Sequence, residues 1–408
     1  MNSRTKAVVL IASTCLVALV VMGAVLAKTG LPEGAYKQLA VFTEVLSRIK
    51  SDYVEEPNMA NVTLGALNGL LESIDPFASY LPADRYKEYL KNHDASKGSV
   101  GLALSKRYGY IGVVDAVPGS PAAKAGLTTG DMVEAIKGVG TRDLPLAYAD
   151  LLLRGKPGET VEITVLTMRH PEPRKITLTR EVIEYPPVRR KMLADETGYV
   201  QAESLVPGRA QEIARALTEL QKQGAKRLVL DLRHCTVGPP EEGAVVANLF
   251  LDNGLLTYLQ GQRVARKDFE ADPAKIVSRL PLVVITNRGT AGAAEVAAAA
   301  LLDRKRAEVV GERTYGDAAV RRTINVDDGG AIILSVAKYY SPSGKAIQDT
   351  GVTPSVLVGE SEPAGELEEE APPARPETAP TPGEDNLLKK AIEVLNQKVA
   401  QAQGVQSK

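Results

Sequence analysis

Few side chains in this chain bring a nucleophile near a base. His234 precedes Cys235, Ser341 and Ser343 precede Lys345, and Thr290 stands in a glycine-bearing turn. A thiol or hydroxyl attacks a carbonyl only when a neighbouring base takes its proton, so each grouping is a possible acyl-transfer centre. Adjacent residues at a strand end point to opposite sides, which argues against a His234/Cys235 pair and makes Cys235 a small buried hydrophobe. Pro342 and Gly344 mark the serine-lysine stretch as a structural turn. The only other cysteine is Cys15, so no internal disulfide is expected. No cofactor or metal site is expected either.

The elements around Thr290 are easier to read. Val283, Val284 and Ile285 form a β-branched run, and Asn287, Arg288 and Gly289 a turn; an alanine-rich helix follows, then a second apolar strand at Val309 and Val310. Gly311 and Gly316 punctuate the turn after that. Strand, tight turn, helix and strand in this order deliver the turn and the first helical residues to a catalytic position in an α/β sheet.

The frame N-x-G-x-A-x-A-x-E, then G-E-R-x-Y-G, then Y-Y-S-P-S-G-x-x-I resembles the carboxy-terminal processing peptidases, PDZ-containing serine proteases of bacterial envelopes and thylakoids. The resemblance spans about Val41 to Val356. It implies a serine nucleophile at position 292, a lysine base at 317 and an orienting glutamine at 321; this chain has Gly292, Asp317 and Arg321 there. The frame residues Asn287, Gly289, Glu295, Asp303, Gly311, Glu312, Tyr315 and Gly316 are kept. A serine-lysine mechanism needs an attacking hydroxyl and a neutral amine to accept its proton. Glycine supplies no attacking atom, and an aspartate base has only water to activate. In the family a glycine pair supplies backbone donors to the oxyanion; here that turn reads Val237, Gly238 and Pro239, and proline has no N–H. A valine at a glycine turn resists positive φ, so this loop is expected to have changed shape. Thr290, two residues before the vacant position, is the substitute nucleophile to weigh. The expectation is a peptidase relative that has lost hydrolysis, with a displaced serine-type apparatus and a purely architectural role as the alternatives.

The chain has 408 residues, room for two or three domains at about 150 residues each. Its net charge of −1, with no basic patch interleaved with aromatics, gives no sign of nucleic-acid binding. With no tryptophan and four phenylalanines, the core must rest on leucine, valine, isoleucine and alanine. The fold class expected is multi-domain α/β: an N-terminal membrane segment, a small helical region, a PDZ domain, a mixed α/β core of the ClpP and crotonase type, a disordered acidic linker and a C-terminal helix. The boundaries are placed at 1–30, 31–95, 96–182, 183–358, 359–384 and 385–408.

Arg4 and Lys6 precede an apolar run from Ala7 to Ala27. About 20 such residues can cross a bilayer, and the positive flank places the N-terminus in the cytoplasm and the bulk of the chain in the periplasm. A cleaved signal peptide is the rival reading, with Gly23, Ala24 and Ala27 near the cut; the run exceeds the usual signal core, which puts the anchor ahead. Phe42, Val45, Leu46, Ile49 and Tyr53 recur at helical spacing, as do Leu64, Leu67, Leu70, Leu71 and Ile74 after a cap at Asn61. These stripes are expected to pack a small helical domain, and the resemblance adds self-association as one role for it. The segment IDPFASYL (Ile74 to Leu81) matches the signature that precedes the PDZ domain in the family.

Gly98 to Leu104, with the hallmark run from Ala116 to Gly138, resembles a bacterial PDZ module. Such a domain implies binding of protein C-termini: backbone N–H groups at Val100, Gly101 and Leu102 would take the terminal carboxylate while the peptide extends the sheet edge. Leu102, Leu104, Ala147 and Leu151, with Tyr148 beside them, would line the pocket for the last side chain. The partners expected are protein tails or envelope proteins, an active relative, or a second copy of the chain. Glu360, Glu362, Glu366 and Glu368 to Glu370, with the prolines from Pro363 to Pro382, read as a disordered linker. Leu388, Ile392, Leu395 and Val399 then make an apolar helical stripe that should dock on its own domain or on another subunit.

Overall fold

The computed structural model describes residues 33–92, 97–107, 109–142, 144–167, 170–359 and 385–406. The apolar run at Ala7 to Ala27 and the acidic linker at 360–384 lie outside the described residues. Among the described residues no helix is long and apolar enough to cross a membrane. The chain divides into two compact units between Thr63 and Leu64.

The first unit contains helix α1 (Glu33–Asp52). Its predicted packing stripe does not behave as one: Phe42, Val45 and Tyr53 are exposed, and Leu46 and Ile49 are only half-buried. The 3.6-residue spacing forms the helix, but among the described residues nothing covers that face. Helix α2 (Met59–Glu72) crosses the unit boundary. Its N-terminus is capped by Asn58 instead of Asn61, with the Asn58 Oδ1 accepting from the Ala60 and Asn61 amides at 3.1 and 3.2 Å. Leu71 is buried, whereas Leu70 and Ile74 are exposed.

In the second unit, strand β1 (Ser79–Leu81) and helix α3 (Ala83–Asn92) precede the PDZ domain. That domain is a six-stranded sheet of order β2-β3-β4-β6-β7, with β5 beside β4: β2 is Leu102–Arg107, β3 Tyr110–Ala116, β4 Met132–Ile136, β5 Val139–Gly140, β6 Thr160–Thr167 and β7 His170–Thr179. The short helix α4 (Pro121–Lys124) is capped by Ser120, whose hydroxyl accepts from the Ala123 amide. Helix α5 (Leu146–Leu153) ends where Arg180 inserts: its guanidinium donates to the carbonyls of Leu152, Leu153 and Thr160. A buried cation is held there by the unpaired carbonyls of a helix C-terminus, which suits the dipole.

The core domain is built on a second six-stranded sheet of order β17-β14-β13-β10-β9-β8. Its strands are β8 (Arg189–Leu193), β9 (Thr197–Gln201), β10 (Arg227–Asp231), β13 (Leu282–Thr286), β14 (Glu308–Gly311) and β17 (Val356–Leu357), all parallel except β8. Parallel neighbours need crossovers, and the amphipathic α6 (Arg209–Lys222), α7 (Pro240–Asn248) and the almost wholly buried α8 (Ala293–Asp303) supply them. Their apolar residues share one buried cluster with the sheet face carrying Leu228, Leu230, Leu282 and Val284. The other face carries Tyr199, Val229, Val283, Ile285 and Val310, and helix α9 (Asn386–Gln406) covers it. The C-terminal helix therefore docks on its own domain. The stripe that does so is Leu387, Ala391, Val394 and Leu395; Leu388 and Ile392 sit at its margin, half-buried. A five-stranded antiparallel sheet completes the unit: β1, β16 (Ala331–Tyr340), β11 (Leu255–Gln260) and β12 (Lys267–Glu270) in that order, with β15 (Ala319–Asn325) paired to β16.

Candidate active site

Strand β13 runs into a turn that is tied down at almost every polar atom. The Asn287 Oδ1 accepts from the Gly289 and His234 amides, both at 3.1 Å, and the Asn287 amide donates to Thr290 Oγ1 at 3.0 Å. The Thr290 hydroxyl donates to the Leu232 carbonyl at 2.9 Å, and the Ala291 amide to the Cys235 carbonyl at 3.0 Å. Thr290 is fully buried. Its oxygen therefore staples the β13 turn to the end of β10 and is not presented to a substrate.

The chain then turns sharply into α8 through Gly292, at φ 61° and ψ −118°. This is a strained strand-to-helix elbow, the geometry in which a nucleophile is thrust out of a sheet. Here it carries only hydrogen. The position is not crowded: a Cβ added there would lie 3.5 Å from the Asp317 carbonyl oxygen and 3.8 Å from that of Gly238. Space would admit a side chain there, and only the torsion favours glycine.

Glu295, on the first turn of α8, is wholly buried and organises the surroundings. Its Oε2 accepts from the Gly292 and Asp317 amides at 2.9 and 2.8 Å; its Oε1 accepts from the Gly316 amide at 2.7 Å and the Thr314 hydroxyl at 2.5 Å. One carboxylate therefore holds the elbow against the turn that carries position 317. Burial pushes its pKa up to about 7, against the pull of these donors.

Asp317 occupies the expected base position and is ion-paired with Arg321. Burial raises its pKa, Arg321 opposes the rise, and Asp75 and Asp349 add to it. The Arg321 guanidinium lies over the Phe77 ring at 4.0 Å. Where a neutral amine would be needed, the site holds a carboxylate locked to a cation.

At the oxyanion turn, valine and glycine divide the backbone conformations as their side chains require. Val237 does not take positive φ; Gly238 does, at 138°, and a Cβ on Gly238 would fall 2.0 Å from the Leu205 carbonyl oxygen. The Val237 carbonyl accepts from the Leu205 amide at 2.7 Å, so valine is accommodated and the turn keeps its one obligatory glycine. Pro239 still lacks a donor and instead introduces α7.

Cys235 is buried, and burial with nearby carboxylates pushes its thiol pKa up, away from thiolate chemistry. His234 faces the PDZ domain, its Nδ1 3.1 Å from Asp115 Oδ2 and its Nε2 3.1 Å from Asn287 Nδ2. The Asn287 oxygen is already accepting two amides, so its nitrogen donates to Nε2 and the ring proton sits on Nδ1, toward Asp115. This Asp115, His234 and Asn287 chain links PDZ and core domains; residues so far apart in sequence gave no signal of it. Ser341 and Ser343 lie at the opposite end of α8, where Ser343 Oγ donates to Asp303 Oδ2 at 2.5 Å. An 11-residue helix puts them about 15 Å from Gly292.

Residues 196–358 match the Peptidase family S41 model, and residues 112–167 match a PDZ domain model. The chain is 32% identical over 326 residues to a carboxyl-terminal-processing protease of Picosynechococcus sp., covering 78% of each. It is 29% identical over 360 residues to a carboxy-terminal-processing protease of Bartonella bacilliformis, covering 86% of this chain and 82% of the relative. The chain belongs to the carboxy-terminal-processing protease family. The solved structure of a photosystem II D1 C-terminal processing protease resembles this member of the family with a TM-score of 0.65 at 30% identity, covering 78% of this chain and 86% of that one.

The PDZ domain of this family member suggests binding of peptides or C-termini, and the residues expected to do so divide into two groups. At the carboxylate loop, Val100 is fully buried, its carbonyl accepting from the Ala122 amide, and the Gly101 amide donates to Ser99 Oγ at 3.2 Å. Gly101 has φ 78°, and a Cβ there would meet Ser120 at 2.3 Å, so glycine is obligatory. Along the groove, Leu102 and Leu104 are half-buried against the PDZ core and Leu151 is buried. The Ala147 amide donates to Ser79 Oγ at 3.0 Å.

Proposed function

We propose that this member of the carboxy-terminal-processing protease family has lost peptide-bond hydrolysis and acts by binding protein C-termini or partner proteins through its PDZ domain. The observation that carries this reading is the elbow at Gly292, which points a hydrogen atom at the place where the chemistry needs an oxygen. Asp317, tied to Arg321, supports it, because the neighbouring base position offers no neutral amine. The substitutes weighed from the sequence do not take over: Thr290 is consumed in the turn, and Ser341 and Ser343 stand at the far end of α8. Loss of a nucleophile from such a unit removes roughly a factor of 10⁶ in rate in the best-studied serine protease.

We further propose that the apolar run from Ala7 to Ala27 tethers the protein to the bacterial inner membrane with its bulk in the periplasm. Fractionation with a C-terminal reporter tests this: recovery of the full-length protein in the soluble cytosol would overturn it. For hydrolysis, the purified protein is incubated with an unfolded substrate. No cleavage above a buffer blank is expected, and cleavage that disappears in Thr290→Ala would refute the reading.

A further inference from the structure

A segment of the same chain makes hydrogen bonds to both walls of the PDZ groove. A tail adding to the edge of β2 would use outward-facing backbone groups of that strand and lie against α5. In the structure the Lys106 amide on β2 donates to the Pro76 carbonyl at 2.9 Å. On the opposite wall the Ala147 amide, at the start of α5, is taken by Ser79 Oγ. Between them Phe77 is buried in the PDZ apolar cluster, against which Leu102 and Leu104 also pack. Helix α3 closes the outer side: Tyr148 of α5 donates to Glu88 Oε2 at 3.0 Å, and Arg85 lies 4.8 Å over the Tyr148 ring.

We propose that residues 75–79 are an intramolecular occupant of the PDZ groove, so that an external C-terminal tail binds only after displacing Phe77. The inference rests on the tail-binding reading above. The segment is well held. Asp75 Oδ1 accepts from the Phe77 amide at 2.9 Å and its Oδ2 from the Ser335 amide at 3.1 Å, while Arg321 covers the ring. Its polar bonds use both walls of the groove, an edge-strand amide on one side and a helix amide on the other. When the competent state is a minor one, the observed affinity is reduced by its population, so loosening the occupant tightens external binding.

The test measures binding of a short fluorescein-labelled peptide, with an apolar last residue and a free carboxylate, to the full chain. Wild type is compared with Phe77→Ala and Ser79→Ala. Tightening by about tenfold or more is expected for Phe77→Ala and a smaller gain for Ser79→Ala, which removes a single oxygen. Adding saturating peptide to wild type should accelerate hydrogen exchange in residues 75–81 and slow it in β2, a readout that holds even where Phe77→Ala folds poorly. Equal affinity in all three proteins with unchanged exchange at 75–81 overturns the self-occupied groove and leaves tail binding standing. No saturable binding by any of the three proteins overturns both.

Discussion

Gly292 and Gly238 both take positive φ, but only Gly238 is also hemmed in, and substitution separates the two. Gly292→Ala meets no atom closer than 3.5 Å and suffers only its torsion, about 1–3 kcal/mol, whereas Gly238→Ala drives a methyl group to 2.0 Å from the Leu205 carbonyl oxygen. Urea melts should show the second loss exceeding about 3 kcal/mol. Glu295 is the other sensitive residue. Its pKa, raised to about 7 by burial, means that the folded state binds a proton that the unfolded state has released above pH ~4.5. The stability it contributes is complete below the unfolded value and is lost as pH rises through about 7, a change of up to about 3 kcal/mol. Asp317 adds to the same direction. Stability measured from pH 5 to 8 should therefore fall, and Glu295→Gln should flatten the slope while lowering stability throughout, because an amide nitrogen would face backbone donors.

Restoring chemistry also depends on single residues. Gly292→Ser with Asp317→Lys is expected to remain inactive, because Arg321 then sits beside a second cation where an orienting amide is needed. Adding Arg321→Gln should give the first detectable cleavage, since Gly238 keeps its turn; a peptidase assay on the double and triple variants checks this order. The absent hydroxyl and amine were legible only because the resemblance assigns a serine to position 292 and a lysine to 317, where the chain has Gly292 and Asp317. The role of Glu295 was not: it counted only as a residue of the kept frame, and its four donors come from turns up to 22 residues away.

Among the elements, the strand-turn-helix unit was readable because apolar runs of parallel strands alternate with glycine turns. The phase of α9 was not, since several hydrophobic stripes coexist on that helix and only the sheet face selects Leu387, Ala391, Val394 and Leu395. Truncation before Asp385 would expose this apolar sheet face and remove the bonds from Arg233 to Asp385 Oδ1 and Oδ2 at 3.0 and 2.7 Å. The truncated protein should melt well below the full chain and bind a hydrophobic dye; unchanged melting would contradict the docking. Helix α1 shows the reverse failure, a regular stripe with no partner among the described residues, because periodicity reports a helix but not what covers it.

In the molecule as a whole, the PDZ and core domains meet through Asp115 and His234, a junction that no local pattern announces. Because the Asp115 carboxylate is buried and accepts the ring proton, Asp115→Ala should loosen the junction. Limited proteolysis should then cut the connection at residues 182–188 faster than in wild type, and equal rates would assign the contact no structural weight.

The buried glutamate at the start of α8 carries a broader implication. Since the two loops that would face a substrate are braced by a group that never reacts, the reactive atoms can be exchanged without disturbing the brace. The residues at positions 292 and 317 can therefore change while the shape is kept, and a designer can use the same frame to install a different nucleophile.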